Sequence, residues 1–411
     1  MTSVLSVVLM FSALTAYTPA GGQEGMSLEQ AVALAMKQNP LVLAAEKGVA
    51  AATGRKLQLR AVPNPELVFR EEGLSSSPGG KSGNEKETSF GVEQSFEFPG
   101  KRALRGEIGR FGEERAGLEI EKTRLLVAAR VKRAYYRAVL SAKSADSLKE
   151  STVLLDRLLE NLIVKYRSGS ASYSDILRTR VEKARLQNQI IEELKEGDQA
   201  RADLNLLLGR NGDESLSLTT DILYSPLDRS LEEVEAEARG SRPSLKISAL
   251  RRRQTETGLN LALKGRLPDF SLGLYFPSLR TNAWGFSLGL SLPIWGQKQK
   301  GEVMEAGAAR EIAAISSAHE DRRILAAIGT AFRSAKAAEG QVKVFEQRLL
   351  KDVEDDLKLS LDNYQLGKIE FFSLLDLYRT FTAARLEHLK AVYLYLISLA
   401  DLEVAGEEYV E

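Results

Sequence analysis

The sequence predicts a mainly α-helical protein that carries transmembrane β-strands, built by duplication of a half-molecule. Three observations lead there. The first is that the chain is written twice: Ser27-Leu28-Glu29 opens a helical stretch containing Pro40, and Ser230-Leu231-Glu232 opens another containing Pro243. Pro65 and Pro268 then precede strand-like runs, and Tyr166-Arg167-Ser168-Gly169 is echoed by Tyr364-Gln365-Leu366-Gly367. Partners stay about half a chain apart, far beyond the roughly 20–50-residue unit of a solenoid. The second observation is a set of short runs with strict period-2 alternation. The third is a pair of very long proline-free helical stretches.

In chain order, residues Val4 to Ala16 form a short apolar block ending in small residues, with Ala20-Gly21 a cleavage point. This reads as the core of a secretory signal peptide over 1–20, although no Lys or Arg precedes it; the alternative is a buried N-terminal helix. The first repeat then occupies 21–220 and the second 221–411. Each runs helix, strand, strand, long helix, returning helix. The first helix is expected over Leu28 to Arg60 and its twin over Leu231 to Arg266, with Pro40 and Pro243 marking a bend or a fresh first turn.

The strands fall at about 65–72, 88–98, 269–276 and 283–292. In the second of these, Phe90, Val92, Phe96 and Phe98 share one face, while Ser89, Gly91, Glu93, Ser95 and Glu97 share the other. Phe270, Leu272, Leu274 and Phe276 oppose Ser271, Gly273 and Tyr275. Trp284, Phe286, Leu288, Leu290 and Leu292 oppose Gly285, Ser287, Gly289 and Ser291. Leu67 and Phe69 give a weaker version of the same pattern. Period-2 alternation means one apolar and one small or polar face, and the lengths approach the ~9–11 residues that cross a bilayer at a tilt. Prolines 65, 99, 268, 277 and 293 bracket the runs. Gly73 to Glu87 reads as a long exposed hairpin loop and Pro277 to Asn282 as its shorter twin. A soluble sandwich with one wet face is the competing reading, but four strands make a poor sandwich. Nor do four close a membrane barrel, since small ones use ~8, and an open edge in lipid leaves backbone groups without partners. The chain must pool strands with copies of itself, most simply in a symmetric ring.

From Lys101 to Tyr166 and from Gly296 to Tyr364 there is no proline. At ~1.5 Å per residue each stretch would reach roughly 100 Å. Leu155, Leu158, Leu162 and Tyr166 form a stripe in one, and Val342, Phe345, Leu349, Val353 and Leu357 in the other. The returning helices start near Asp175 and Leu374 and carry Leu177, Val181, Ala184 and Leu377, Phe381, Ala384. Stripes of this kind predict antiparallel coiled-coil pairs.

Composition limits the function. The 56 basic and 56 acidic residues balance, so nothing points to nucleic acid. Hydrophobic content of 44% is too low for a helical membrane bundle, and no stretch after the first 20 residues reaches the ~18 apolar residues of a membrane helix. Cysteine is absent, which excludes disulfides, thiol chemistry and an N-terminal lipid anchor on Cys. Only two histidines occur, His319 and His388, with no phosphate-binding glycine loop and no paired-His spacing. No catalytic, cofactor or metal site is therefore assigned.

Taken together, the residues resemble the TolC family of outer-membrane efflux channels over almost the whole mature chain. The likeness is carried by Ser27-Leu28-Glu29-Gln30-Ala31-Val32 through Asn39-Pro40, and by Gly285-Phe286-Ser287-Leu288-Gly289-Leu290-Ser291-Leu292-Pro293-Ile294-Trp295-Gly296. It implies a homotrimer with a 12-stranded barrel in the outer membrane of a Gram-negative bacterium, four strands per chain, above an α-helical periplasmic tunnel. It also implies a tripartite efflux system with a periplasmic adaptor protein and an inner-membrane pump. Gln94-Ser95-Phe96-Glu97-Phe98-Pro99-Gly100-Lys101-Arg102 is similar to the strand ending of the heavy-metal and cation branch, although Gly-Lys-Arg at such a junction also satisfies a turn.

The resemblance assigns roles to particular residues. The reversals holding Ser168, Gly169 and Ser170, and Leu366, Gly367 and Lys368, resemble the tips that meet the adaptor; the same glycines also suit plain helix C-caps. Asp175, Tyr364 and Asp376 match a closed-entrance network in which a tyrosine hydroxyl bonds a carboxylate between neighbouring helices. Opening would loosen these bonds and rotate the helix pairs apart. Asp175 is also placed to cap its own helix. Three copies of Asp376 would form an acidic ring, weakened here because Ser373 stands where some relatives have a further aspartate. Glu93 and Glu97 are expected in the barrel lumen. Two other functions compete. A periplasmic adaptor also has a long helical hairpin, but adaptors are not duplicated and lack lipid-facing strands. A purely structural coiled coil leaves the strands unexplained. Within the duct reading, drug or type I secretion is the alternative to metal export.

Overall fold

The computed structural model describes residues 25–72, 87–276 and 283–407. The signal segment 1–20 and the hairpin loops expected at 73–87 and 277–282 lie almost wholly outside them.

The chain runs α1 (Leu28–Gln38), α2 (Pro40–Arg60), β1 (Glu66–Glu72), β2 (Glu87–Phe96), α3 (Lys101–Arg167) and α4 (Tyr173–Leu207), then α5 (Leu231–Ser241), α6 (Pro243–Lys264), β3 (Asp269–Phe276) and β4 (Gly285–Ser291). It ends with α7 (Gln297–Val344), a π-helical turn (Phe345–Leu349), α8 (Leu350–Gln365) and α9 (Phe371–Val404). The order of elements in the first half is repeated in the second. Ser27 and Ser230 open α1 and α5 through capping boxes with Gln30 and Glu233. The long first helix expected in each half is in fact two helices. Asn39 and Arg242 hold extended backbone, and Pro40 and Pro243 each sit at the first position of a new helix, where the missing N–H costs nothing.

The way those breaks are held also repeats. Asn39 accepts from the Leu41 N–H at 2.9 Å and donates to the Leu207 carbonyl at 2.8 Å, at the end of α4. Arg242 donates to the Leu402 carbonyl at 2.9 Å, at the end of α9. The α6 terminus has no cap from Arg242; the buried Glu407 carboxylate supplies it, accepting from the Ser244 hydroxyl at 2.6 Å and from the Ser244 N–H at 3.3 Å.

The four strands form one antiparallel sheet in the order β1-β2-β3-β4. Its register stacks like residues across all strands: Val92 lies between Leu67 and Leu274, and Leu274 opposite Phe286, while Glu93 lies between Glu66 and Gly273. One face is therefore apolar and solvent-facing in the single chain, with Leu67, Phe69, Phe90, Val92, Leu272, Leu274, Phe286, Leu288 and Leu290 all exposed. Contiguous apolar exposure on this scale marks a surface made for a non-aqueous neighbour. Gln94 is the exception on that face, and its amide is turned back onto the Pro63 carbonyl at 2.8 Å. β1 and β4 are the sheet's edges, and no described strand covers either.

Below the sheet, α3 runs 67 residues without a break, about 100 Å at the standard rise. Its twin differs: the π-helical turn separates α7 from α8 where an unbroken helix was expected. One extra residue per turn there carries no glycine or proline signal in the sequence. α4 packs along α3, α8 along α9, and α3 also meets α9. Leu155, Leu158 and Leu162 are buried in this packing with Ile176, Leu186, Leu374 and Tyr378. The stripe expected on α4 is displaced: Leu177 and Val181 are exposed, and the face buried within the chain is Ile176, Thr179, Glu182 and Leu186. α4 has two faces to cover, and one chain covers only one.

Candidate periplasmic gate and channel lining

Both helical hairpins reverse through the same backbone device. In the first, the Ser170 N–H reaches the Lys165 carbonyl at 2.8 Å and the Gly169 N–H reaches Tyr166 at 3.0 Å, with Gly169 at φ +76°. In the second, Lys368 reaches Asn363 at 2.8 Å and Gly367 reaches Tyr364 at 3.1 Å, with Gly367 at φ +72°. These are Schellman caps, which need a residue free to adopt positive φ. Ser168, Gly169, Ser170, Leu366, Gly367 and Lys368 thus stand at the two far tips.

Asp175 is committed locally. Ser172 is the N-cap of α4, and its hydroxyl donates to Asp175 Oδ2 at 2.9 Å while the Asp175 N–H donates back to Ser172 at 3.2 Å. Tyr364 is buried against Phe371, ring centroids 5.8 Å apart. Within one chain no described hydrogen bond joins its hydroxyl to Asp175 or Asp376, so the expected tyrosine–carboxylate latch is not formed here. A cation holds the ring instead: Lys165 Nζ lies 4.1 Å from its centroid and donates to the Tyr364 carbonyl at 3.2 Å. Burial first, and then the nearby Asp175 charge, push the Tyr364 hydroxyl above its ordinary value, keeping it a proton donor. Asp376, two residues before Tyr378 on α9, is exposed, and Ser373 is exposed as well.

Sequence reasoning missed what lies just above. Glu182 is buried, and Arg379 donates to it from Nε at 2.8 Å and Nη2 at 2.6 Å. Tyr378 donates to the Ser151 carbonyl at 2.6 Å, and Thr382 reaches the Ser151 hydroxyl at 3.4 Å. This buried polar belt joins α3, α4 and α9. The only trace of it in the sequence is a set of polar residues at helical spacing on an otherwise apolar face. His388 sits against the π-helical turn, its ring 6.1 Å from Phe345 and Nε2 3.6 Å from Glu346.

At the other end, the small and polar face of the sheet carries Glu93 beside Gly91, Gly273 and Ser287. The Tyr275 ring lies across Gly285, where any side chain would collide with it, and a side chain at Gly91 would start only 3.1 Å from the Tyr275 Cβ. Glu97 is different from the expectation. It lies past the end of β2, and Arg105 Nη2 binds it at 2.6 Å, so its charge is matched within the chain. Gly100-Lys101 also has a structural duty. Gly100 takes φ +91°, and the buried Lys101 ammonium binds Asp269 at 2.8 Å and the Leu267 carbonyl at 2.9 Å, fixing the corner between strands and helices.

An open sheet with an apolar outer face, a polar inner face and a ~100 Å helical stalk defines a class: outer-membrane channels with a helical periplasmic tunnel. No helix among the described residues is long and apolar enough to cross a membrane. The family model for outer membrane efflux proteins matches residues 31–210 and 234–405, and the chain belongs to that family. It is similar to the cobalt-zinc-cadmium resistance protein CzcC of Cupriavidus metallidurans, with 22% identity over 372 residues, covering 89% of this chain and 86% of CzcC. Among solved structures it is similar to CusC, at TM-score 0.77 and 18% identity with 95% of this chain and 96% of that one covered. VceC of Vibrio cholerae gives TM-score 0.75 and 16% identity, with 93% and 97% covered. The protein is an outer-membrane efflux channel, with its sheet in the membrane and its helices in the periplasm.

Proposed function

We propose that three copies of this chain close a 12-stranded barrel and a periplasmic tunnel, forming the passive exit duct of a tripartite system that exports metal cations. The observation that carries the duct is the pair of bare edges on β1 and β4: lipid cannot satisfy those backbone groups, so a further copy must. A periplasmic adaptor would meet the tips at Ser168–Ser170 and Leu366–Lys368, and an inner-membrane pump would supply the drive. Asp175, Tyr364 and Asp376 would narrow the entrance, the tyrosine latch forming between copies. Glu93 would line the barrel. No group of three or more His, Cys, Asp or Glu able to hold a metal ion occurs among the described residues. The cargo reading is supported by the likeness to CzcC across 89% of the chain and by nothing in the corner residues, whose roles are structural.

Native mass spectrometry of the detergent-extracted protein tests the duct, with a species of three chain masses expected and a water-soluble monomer sinking it. Cargo is tested separately by cellular cobalt, zinc and cadmium content. Deleting the chain should raise these metals severalfold under metal stress; unchanged metal content with a trimer intact would leave a duct for other cargo.

A further inference from the structure

The helix ends that meet the sheet carry a charge imbalance that the chain as a whole lacks. Take the two turns of α2, α3, α6 and α7 nearest the sheet, with the joining segments 61–65, 97–100, 265–268 and 292–296. They hold ten Lys and Arg against three Glu, in a chain with 56 of each sign. All three Glu are matched: Glu97 by Arg105 at 2.6 Å, Glu107 by Arg110 at 3.6 Å and Glu302 by Lys298 at 3.9 Å. Lys56 and Lys101 are spent on Glu113 and Asp269. Arg55, Arg60, Arg102, Lys264, Arg266 and Lys300 make no ion pair among the described residues, and all but the half-buried Lys264 are exposed.

These cations lie in one layer. A side chain at Gly106 would strike Arg60 and one at Gly109 would strike Lys56, so the end of α2 lies on the start of α3. The Lys264 ammonium rests on Gly100, and Gly265 faces Glu302 of α7. Two turns of helix are about 10 Å, so the band is about that deep, directly beneath the strands. It is continuous with the membrane-facing surface. The outward row of β4, Phe286, Leu288 and Leu290, runs on into Leu292, Ile294 and Trp295, the last two 74% and 86% exposed. An exposed indole between an apolar belt and a basic band matches the level of lipid headgroups.

We propose that this collar binds anionic phospholipid in the leaflet facing the periplasm. The six cations would receive the phosphates, and Trp295 and Ile294 would sit at the boundary between headgroups and acyl chains. Lipid fits better than an adaptor, which would meet tips about 100 Å away. A second copy of this chain is the rival occupant of the Trp295 surface. Unlike strand pairing, which any lipid permits, the collar makes the channel's lipid shell selective.

The chain has two tryptophans, Trp284 and Trp295, so Trp284→Phe leaves Trp295 as a sole reporter. The full-length channel is reconstituted in phosphatidylcholine vesicles with a minor fraction of phosphatidylglycerol, one or the other lipid carrying bromine on its acyl chains. Mole for mole, brominated phosphatidylglycerol should quench Trp295 severalfold more than brominated phosphatidylcholine. The excess should vanish at about 1 M salt, where screening reaches about 3 Å, and in the variant Arg55→Gln, Arg60→Gln, Arg102→Gln, Arg266→Gln, Lys300→Gln. The salt arm uses the unaltered collar and needs no multiple variant to fold. Equal quenching by the two lipids at low salt overturns the proposal. So does an indole that neither lipid quenches, which would place the neighbouring copy on Trp295.

Discussion

Arg379 closes on Glu182 with two nitrogens on one carboxylate oxygen, at 2.8 and 2.6 Å, tying α9 to α4 across 197 residues of chain. The carboxylate is almost fully buried while the guanidinium is partly exposed. Removing the cation leaves Glu182 with only Arg185, at 3.9 Å. Arg379→Met should therefore cost about 3 kcal/mol, read as a lowered melting temperature. Glu182→Gln combined with Arg379→Gln, which removes the stranded charge, should recover part of that loss. If the single and double variants melt alike, the pair is not what holds these helices.

Glu339 gives the chain a defined acid limit. It is buried on α7 and accepts from Lys336 and Lys343 at 3.0 Å each, from Tyr224 at 3.1 Å and from the Leu227 N–H at 3.2 Å. Burial opposes its charge, but the bonds from Lys336 and Lys343, then Leu227 and Tyr224, outweigh it and hold the carboxyl at about 2 instead of 4.5. A folded value below the unfolded one means stability that is complete above pH 4.5 and is lost as pH falls from there toward 2. Melting temperature against pH should slope down through that window, and the slope should flatten in Glu339→Gln. An unchanged slope would assign the acid sensitivity to other carboxylates.

What could be read from the sequence follows from range. The apolar rows through Phe90, Val92, Leu272, Leu274, Phe286 and Leu288 depend only on the two-residue period of a strand, so the pattern and the sheet agree. The split at Pro40 depends only on the proline ring. Contacts between distant helices depend on how each coiled coil rotates, which no local period encodes. That is why the packed face of α4 proved to be Ile176 and Thr179 and not Leu177 and Val181. It is also why Lys165, far from Tyr364 in the chain, could not be foreseen on its ring. Glu97 looked like a lumenal charge because alternation continued past the last paired residue of β2, where Arg105 waits one turn into α3. The π-helical turn had no signature, since one surplus residue in a helix changes register without changing composition.

Three glycines in the same backbone state should respond differently to alanine. Gly169 and Gly367 have φ +76° and +72°, and a methyl at either would meet nothing within 4 Å. Alanine there pays only for left-handed backbone, about 1 kcal/mol. Gly209, at φ +72° after α4, is crowded: a methyl would stand 2.6 Å from the Gln38 carbonyl oxygen. Gly209→Ala should cost clearly more than the tip variants in denaturant titrations, because backbone must move between α1 and α4. Equal costs would mean that the contact is soft.

The entrance can be dissected at Lys165 and Tyr364. Within a chain the tyrosine ring contacts Lys165 and Phe371, while the hydroxyl makes no hydrogen bond to Asp175 or Asp376. Two causes of closure then separate cleanly in planar-bilayer conductance. If ring packing within a chain holds the tips together, Tyr364→Phe should conduct like the parent, whereas Tyr364→Ala and Lys165→Met should both raise conductance severalfold. If the hydroxyl bonds a carboxylate of a neighbouring copy, Tyr364→Phe alone should open the channel, and Asp376→Asn should do the same. Asp175→Asn serves as the control for capping, because it keeps a side-chain acceptor for the α4 terminus and should change stability by well under 1 kcal/mol. The contacts of Tyr364 within one protomer match the first pattern. The Tyr364→Phe channel is therefore the one whose conductance decides between them.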